Sequence, residues 1–119
     1  MYRIKILNNI SPAGLARLDH TRFQAGDGLD QEDGILVRSA DLHNYPFPDT
    51  LQAVARAGAG TNNIPIDRCS QRGIVVINTP GANANAVKEL VIAAMLIASR
   101  DVLGGAGWVR EQARVPQSD

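Results

Sequence analysis

The chain has 119 residues, with 12 basic and 12 acidic side chains, 45% hydrophobic residues and a single cysteine, Cys69. That length supports one domain with its own core and is too short for two. Balanced charge offers no basic footprint for nucleic acid or an anionic membrane surface, and one cysteine excludes an internal disulfide and a cysteine zinc cluster.

Tyr2 to Leu7 alternates apolar and basic residues and stops at Asn8-Asn9, a first strand. It lacks the apolar run of a signal peptide. Ser11-Pro12 is a helix start, with Ser as cap and Pro in the first turn, and the pattern predicts a helix to about His20. Arg22 to Ala25 reads as a weak strand. Gly26-Asp27-Gly28 and Asp33-Gly34 are turn chemistry. Ile35-Leu36-Val37 is a continuous apolar run, expected of a strand buried on both faces. Tyr45-Pro46-Phe47-Pro48 cannot be regular helix, so Ala40 to Thr50 reads as loop. Leu51 to Arg56 is the fourth strand and Gly58-Ala59-Gly60 a turn. A short helix spans about Pro65 to Arg72, with Gly73 as its left-handed stop. Cys69 falls in this helix and reads as a partly buried structural thiol. Ile74 to Ile77 is the fifth strand.

From Asn83 or Asn85 a long helix runs to Arg100, apolar around most of its circumference, as in a helix covered on more than one side. Its apolar run, Leu90 to Ala98, is far short of the ~20 residues a bilayer span needs. Gly104 to Gly107 is read as a break, Trp108 to Arg114 as a short amphipathic helix and Pro116 to Asp119 as a frayed tail. The alternation predicts an α/β domain. The form expected is a flavodoxin-like three-layer α/β/α architecture with a five-stranded parallel sheet in the order 2-1-3-4-5. Cytoplasm is the expected compartment.

In such sheets ligands bind beyond the carboxyl ends of the strands. Arg38 and Arg56 each end a strand there, and an arginine fork fits carboxylate or phosphate. Ser39 adds a hydroxyl. Gly58-Ala59-Gly60 is either a backbone nest for an anion or a tight strand-to-helix turn with no ligand. It falls short of a dinucleotide fingerprint: Asn63 holds the third glycine position, and no acidic residue follows about 20 positions on. Asn83 and Asn85 are helix caps or ligand contacts, and Glu89 reads as a first-turn charge complementing the helix dipole. His20 and His43 have no partner at triad or metal spacing, and no metal site is expected.

Three strings carry a family resemblance: Val37-Arg38-Ser39-Ala40; Ala55-Arg56-Ala57-Gly58-Ala59-Gly60-Thr61-Asn62-Asn63-Ile64; and Arg72 to Asn83 with Glu89-Leu90. In this order and spacing the chain resembles the substrate domain of D-2-hydroxyacid dehydrogenases, its phosphoglycerate-type members above all. The resemblance implies that Arg38 and Ser39 bind the substrate's anionic groups. The Gly58–Gly60 loop would hold its carboxylate, with the Ala59 backbone near the nicotinamide, and Asn83 would reach the substrate from the hinge. The implied reaction oxidises the 2-hydroxyl of 3-phosphoglycerate by hydride transfer to NAD, opening serine biosynthesis. It further implies that residues 1–103 are the substrate-binding domain and 104–119 a connection toward a dinucleotide-binding domain not contained here. This piece alone would then hold no NAD and be inactive. Self-association through the Asn85–Arg100 helix is a second expected partnership. Ala59 departs from a frequent threonine, and Lys88 from a usually small residue. A stand-alone anion-binding or interaction module of the same fold is the alternative.

Overall fold

The computed structural model describes residues 1–114, and its frame is one parallel sheet of five strands. These are β1 (Tyr2–Leu7), β2 (Phe23–Gly26), β3 (Gly34–Val37), β4 (Ala53–Arg56) and β5 (Val75–Ile77), in the order β2-β1-β3-β4-β5. This is the α/β class and strand order read from the sequence. Helix α1 (Pro12–Leu15) lies in the β1–β2 crossover and α2 (Ile66–Gln71) in the β4–β5 crossover. The two crossovers run in opposite directions across the sheet, so right-handed connections put them on opposite faces.

Alternation along the strands decides what is buried. The register pairs Ile35 with Val54 and Val54 with Val76, on one face. Ile35, Val37 and Val54 join Leu42, Phe47, Leu51, Ile64, Cys69 and Ile74 in a single buried cluster. The loop at 40–51, which prolines keep from helix, thus supplies three core side chains. Cys69 is fully buried rather than partly so, and burial pushes its thiol up against the pull of Arg68 and Arg72. The opposite face carries Val75 and Ile77, both exposed.

Two sequence expectations are corrected here. Helix α1 is one turn, ending at Leu15 rather than near His20. Asp19 takes over: its carboxylate accepts from the Thr21 N–H and hydroxyl, and its carbonyl accepts from Arg22 and Phe23. Ser11 makes no side-chain cap; its carbonyl alone starts the turn.

The described chain divides into two compact units, Met1–Ala82 and a second from Asn83 onward. In the second, α3 (Ala84–Arg100) ends at Asp101, whose backbone is left-handed (φ 44°), and α4 (Val102–Gln112) begins there at a bend of 58°. The glycines at 104, 105 and 107 do not break the chain, as the sequence suggested; they lie inside α4, and the Asp101 carboxylate accepts from the Gly104 N–H. Neither helix contains a buried residue. Among the described residues no single helix is long and apolar enough to cross a membrane; α3 and α4 reach that length and composition only as a bent pair. The tail read at 116–119 lies outside the described residues.

Candidate functional site

Leu7, Val37 and Arg56 stand level at the carboxyl ends of β1, β3 and β4. The crossovers step in opposite directions on either side of the β1–β3 pair, the point where parallel α/β sheets open a crevice. The segments that follow, Asn8-Asn9, Arg38-Ser39-Ala40 and Ala57 to Gly60, therefore meet on one rim. Arg38, Ser39, Arg56, Gly58, Ala59 and Gly60 are brought together there.

Hydrogen bonds chain these segments. Asn8 Oδ1 accepts from the backbone N–H groups of Arg38, Ser39 and Ala40 at 3.3, 2.9 and 2.8 Å. Arg56 Nε donates to the Arg38 carbonyl at 3.0 Å, and its Nη1 donates to the Gly60 carbonyl. Asn63 Nδ2 donates to the carbonyls of Ala40 and Arg38, which leaves its buried Oδ1 without a partner among the described residues. Beyond β5, Asn78 Nδ2 donates to the Ala59 carbonyl at 2.7 Å and the Thr79 N–H to the Gly58 carbonyl at 3.0 Å.

This network separates the two arginines. The Arg38 side chain is exposed and its guanidinium has no partner among the described residues. Ser39 is exposed beside it. The half-buried Arg56 instead spends Nε and Nη1 on backbone carbonyls, leaving Nη2 for a ligand. Sequence reasoning treated both as equivalent forks; the structure makes one a free cation and the other a clamp.

The glycines have a local reason. A Cβ on Gly58 would lie 3.0 Å from Arg56 Nη1, and one on Gly60 would lie 3.2 Å from the same atom. The loop is thin because the guanidinium packs beneath it, and neither glycine adopts positive φ. Gly58 N–H bonds the Arg56 carbonyl, whereas the exposed Ala59 and Gly60 N–H groups have no partner among the described residues. A cation, a hydroxyl and two amides without a partner among the described residues are the groups that can receive a small anion.

Asn83 belongs to the second unit. It is the N-cap of α3, with no side-chain cap bond; its carbonyl accepts from Val87. Asn85 bonds Glu89 and Lys88 on the surface of the helix. Glu89 thus lies past the first turn, where the helix dipole no longer acts strongly.

Other groups stay apart from this rim. His43 pairs with Asp41 at 2.5 Å in an exposed turn, where the His43 backbone N–H and then its ring hold the Asp41 carboxyl below its ordinary range. A cleft of about 600 Å³ is lined by Lys5, Asp30 to Glu32 and Tyr45 to Pro48 and shares no residue with the rim. There the buried Glu32 accepts from the Tyr45 hydroxyl at 2.7 Å, and burial, then Glu32, pushes the phenol up. Among the described residues no group of three His, Cys, Asp or Glu could hold a metal ion.

The sequence placed Asn8-Asn9 and Asn78 at strand ends on the expected ligand rim and Asn63 at the third glycine position, but not the backbone bonds that Asn8, Asn63 and Asn78 make there.

Residues 16–115 match the family model described as "D-isomer specific 2-hydroxyacid dehydrogenase, catalytic domain". The D-3-phosphoglycerate dehydrogenase of Mycobacterium bovis is 31% identical over 91% of this chain and 23% of its own length. The hydroxypyruvate reductase of Thermotoga maritima is 44% identical over 62% of this chain and 25% of its own length. The chain thus spans about a quarter of the length of these curated relatives. Among solved structures, a dehydrogenase from Rhizobium meliloti superimposes with a TM-score of 0.77 at 25% identity, covering 97% of this chain and 46% of that one. An NAD+-bound 3-phosphoglycerate dehydrogenase from Entamoeba histolytica gives 0.68 at 27% identity, covering 81% and 38%.

Proposed function

This chain belongs to the D-isomer specific 2-hydroxyacid dehydrogenase family, and on that premise we propose that it is the substrate-binding part of an NAD-dependent D-3-phosphoglycerate dehydrogenase. The observation that carries the reading is the free Arg38 guanidinium, with Ser39 beside it, tied by one Arg56 clamp to a loop with two free amides. A phosphorylated 2-hydroxy acid has two anionic ends, and this rim offers two receptors. Arg38 and Ser39 take the phosphate, and the Ala59 and Gly60 N–H groups take the carboxylate. Arg56 Nη2 stands between them, and Asn83 reaches the substrate from the hinge side. The 2-hydroxyl is oxidised, with NAD supplying the hydride acceptor when bound.

In this reading residues 1–103 bind substrate and 104–119 lead to a dinucleotide-binding domain. That domain holds the cofactor, with the Ala59 backbone near its nicotinamide, and the 119-residue chain alone is inactive. The exposed apolar surface of α3 supports cover by that domain or by a second copy through Asn85–Arg100. The setting is cytoplasmic serine biosynthesis.

The test is an NMR titration of the 119-residue chain with 3-phosphoglycerate, D-glycerate and NAD, read at the backbone amides. We expect shifts at Arg38, Ser39, Ala59 and Gly60 with 3-phosphoglycerate, weaker ones with glycerate, and none with NAD. Equal responses to both acids would move the substrate toward an unphosphorylated 2-hydroxy acid. Saturable NAD binding, or silence at millimolar 3-phosphoglycerate, overturns the assignment.

A further inference from the structure

Resting on the substrate reading above, we propose that Asn8 is a positioning residue for the anion site. Its carboxamide plugs the backbone nest under Arg38 and Ser39 and so fixes where those two side chains leave the rim.

Three consecutive N–H groups converge on one oxygen, Asn8 Oδ1, at 2.8 to 3.3 Å. Three converging amides are the arrangement that captures an anion. Here a neutral carbonyl oxygen from the neighbouring strand end already occupies it. Two consequences follow. A ligand cannot use the amides of residues 38–40, so its charge must go to the Arg38 guanidinium, the Ser39 hydroxyl and the amides of Ala59 and Gly60. Residue 38 is also held from both sides: its N–H by Asn8 and its carbonyl by Arg56 Nε and Asn63 Nδ2. A side chain launched from a backbone pinned at both groups starts from one place. The guanidinium needs that support, because it has no hydrogen-bond or ion-pair partner among the described residues to order it.

The backbone at Asn8 explains the residue type. Its φ is 71°, in the left-handed region. Asparagine tolerates that region better than other side chains with a carbonyl acceptor, glycine better still. The parallel register sets Leu7 beside Val37, so residue 8 emerges next to residue 38. A carbonyl on a one-carbon stem then reaches three amides.

These features set the variants. Asn8→Gly keeps the left-handed backbone and deletes the acceptor. Asn8→Asp keeps an acceptor oxygen at the same reach. In Asn8→Gly the Ser39 and Ala40 amides should exchange with solvent about tenfold faster and 3-phosphoglycerate should bind about tenfold more weakly, with core amides such as Val54 unchanged. Asn8→Asp should return the amide protection of Ser39 and Ala40 to within about threefold of the parent, while its negative charge beside the site keeps 3-phosphoglycerate weakly bound. If Asn8→Gly does not fold, Asn8→Ser, whose oxygen is too short to reach three amides, gives the same comparison. Binding by the glycine variant equal to that of the parent chain overturns the role of Asn8 alone, as does failure of Asn8→Asp to restore the protection of the Ser39 and Ala40 amides. A parent chain that ignores 3-phosphoglycerate overturns both this role and the substrate reading on which it rests.

Discussion

Met1–Ala82 and the stretch from Asn83 onward spend their apolar residues in opposite ways. The first unit gathers nine buried side chains into one cluster, built on Ile35, Val37 and Val54 of adjacent strands. The second carries Leu90, Met95, Leu103 and Trp108 at 63–73% exposure and buries none of its described residues. Apolar area removed from water stabilises a fold by about 25 cal/mol per Å², so the described stability resides in the first unit. The binding rim rises from that same sheet. The difference teaches that an all-round apolar helix and a buried strand look alike in composition, and only the strand finds its cover within the described residues.

The largest effect expected follows from that contrast. Ile35→Ala removes a side chain that is 1% exposed and should cost roughly 2–5 kcal/mol in urea unfolding. Leu90→Ala removes one that is 71% exposed and should cost no more than about 0.5 kcal/mol. A large loss from Leu90→Ala, or a midpoint that rises with protein concentration, would break the contrast by showing α3 covered in solution, and analytical ultracentrifugation would identify a second copy.

A smaller effect separates the two arginines within the rim. Arg56→Ala deletes the clamp between the Arg38 and Gly60 carbonyls and should lower stability by about 1–3 kcal/mol while weakening ligand binding. Arg38→Ala removes an exposed, unpartnered guanidinium. It should leave the unfolding midpoint within about 0.5 kcal/mol of the parent and weaken 3-phosphoglycerate binding about 10- to 100-fold, the worth of a charge-assisted hydrogen bond. Equal behaviour of the two variants in both assays would erase the distinction between free cation and clamp.

How much of this was legible in the sequence depends on the range of the interaction. The strands and their order were readable from Ile35-Leu36-Val37, from Ile74 to Ile77 and from the turn residues between, because local pattern and burial agree there. The rim was readable too, as Arg38, Ser39 and the glycine loop fall at strand ends. The sorting of roles was not. Asn8 and Arg38 lie 30 residues apart, and only the β1–β3 register makes the first the support of the second. Boundaries failed where a local side-chain bond takes over from propensity: past the end of α1 the Asp19 carboxylate organises the turn with Thr21, and Asp101 makes the joint that was assigned to the glycines after it.

Those glycines give the smallest effect and the sharpest sign. Gly105 and Gly107 lie inside α4 with nothing within 4 Å of where a Cβ would stand. Glycine within a helix carries an entropic cost, so Gly105→Ala and Gly107→Ala should each stabilise α4 by roughly 0.5–1 kcal/mol, seen as added helical ellipticity. Gly58→Ala must instead push on the Arg56 guanidinium, 3.0 Å away, and should destabilise by about 1–3 kcal/mol. One substitution thus carries opposite signs in the two regions, because α4 has open space where the rim has a clamp. A loss at Gly105 or Gly107 would mean that something seen only in solution packs against α4 there. A neutral Gly58→Ala would mean that the guanidinium yields without cost, and Arg56 could then not be the group that fixes the loop.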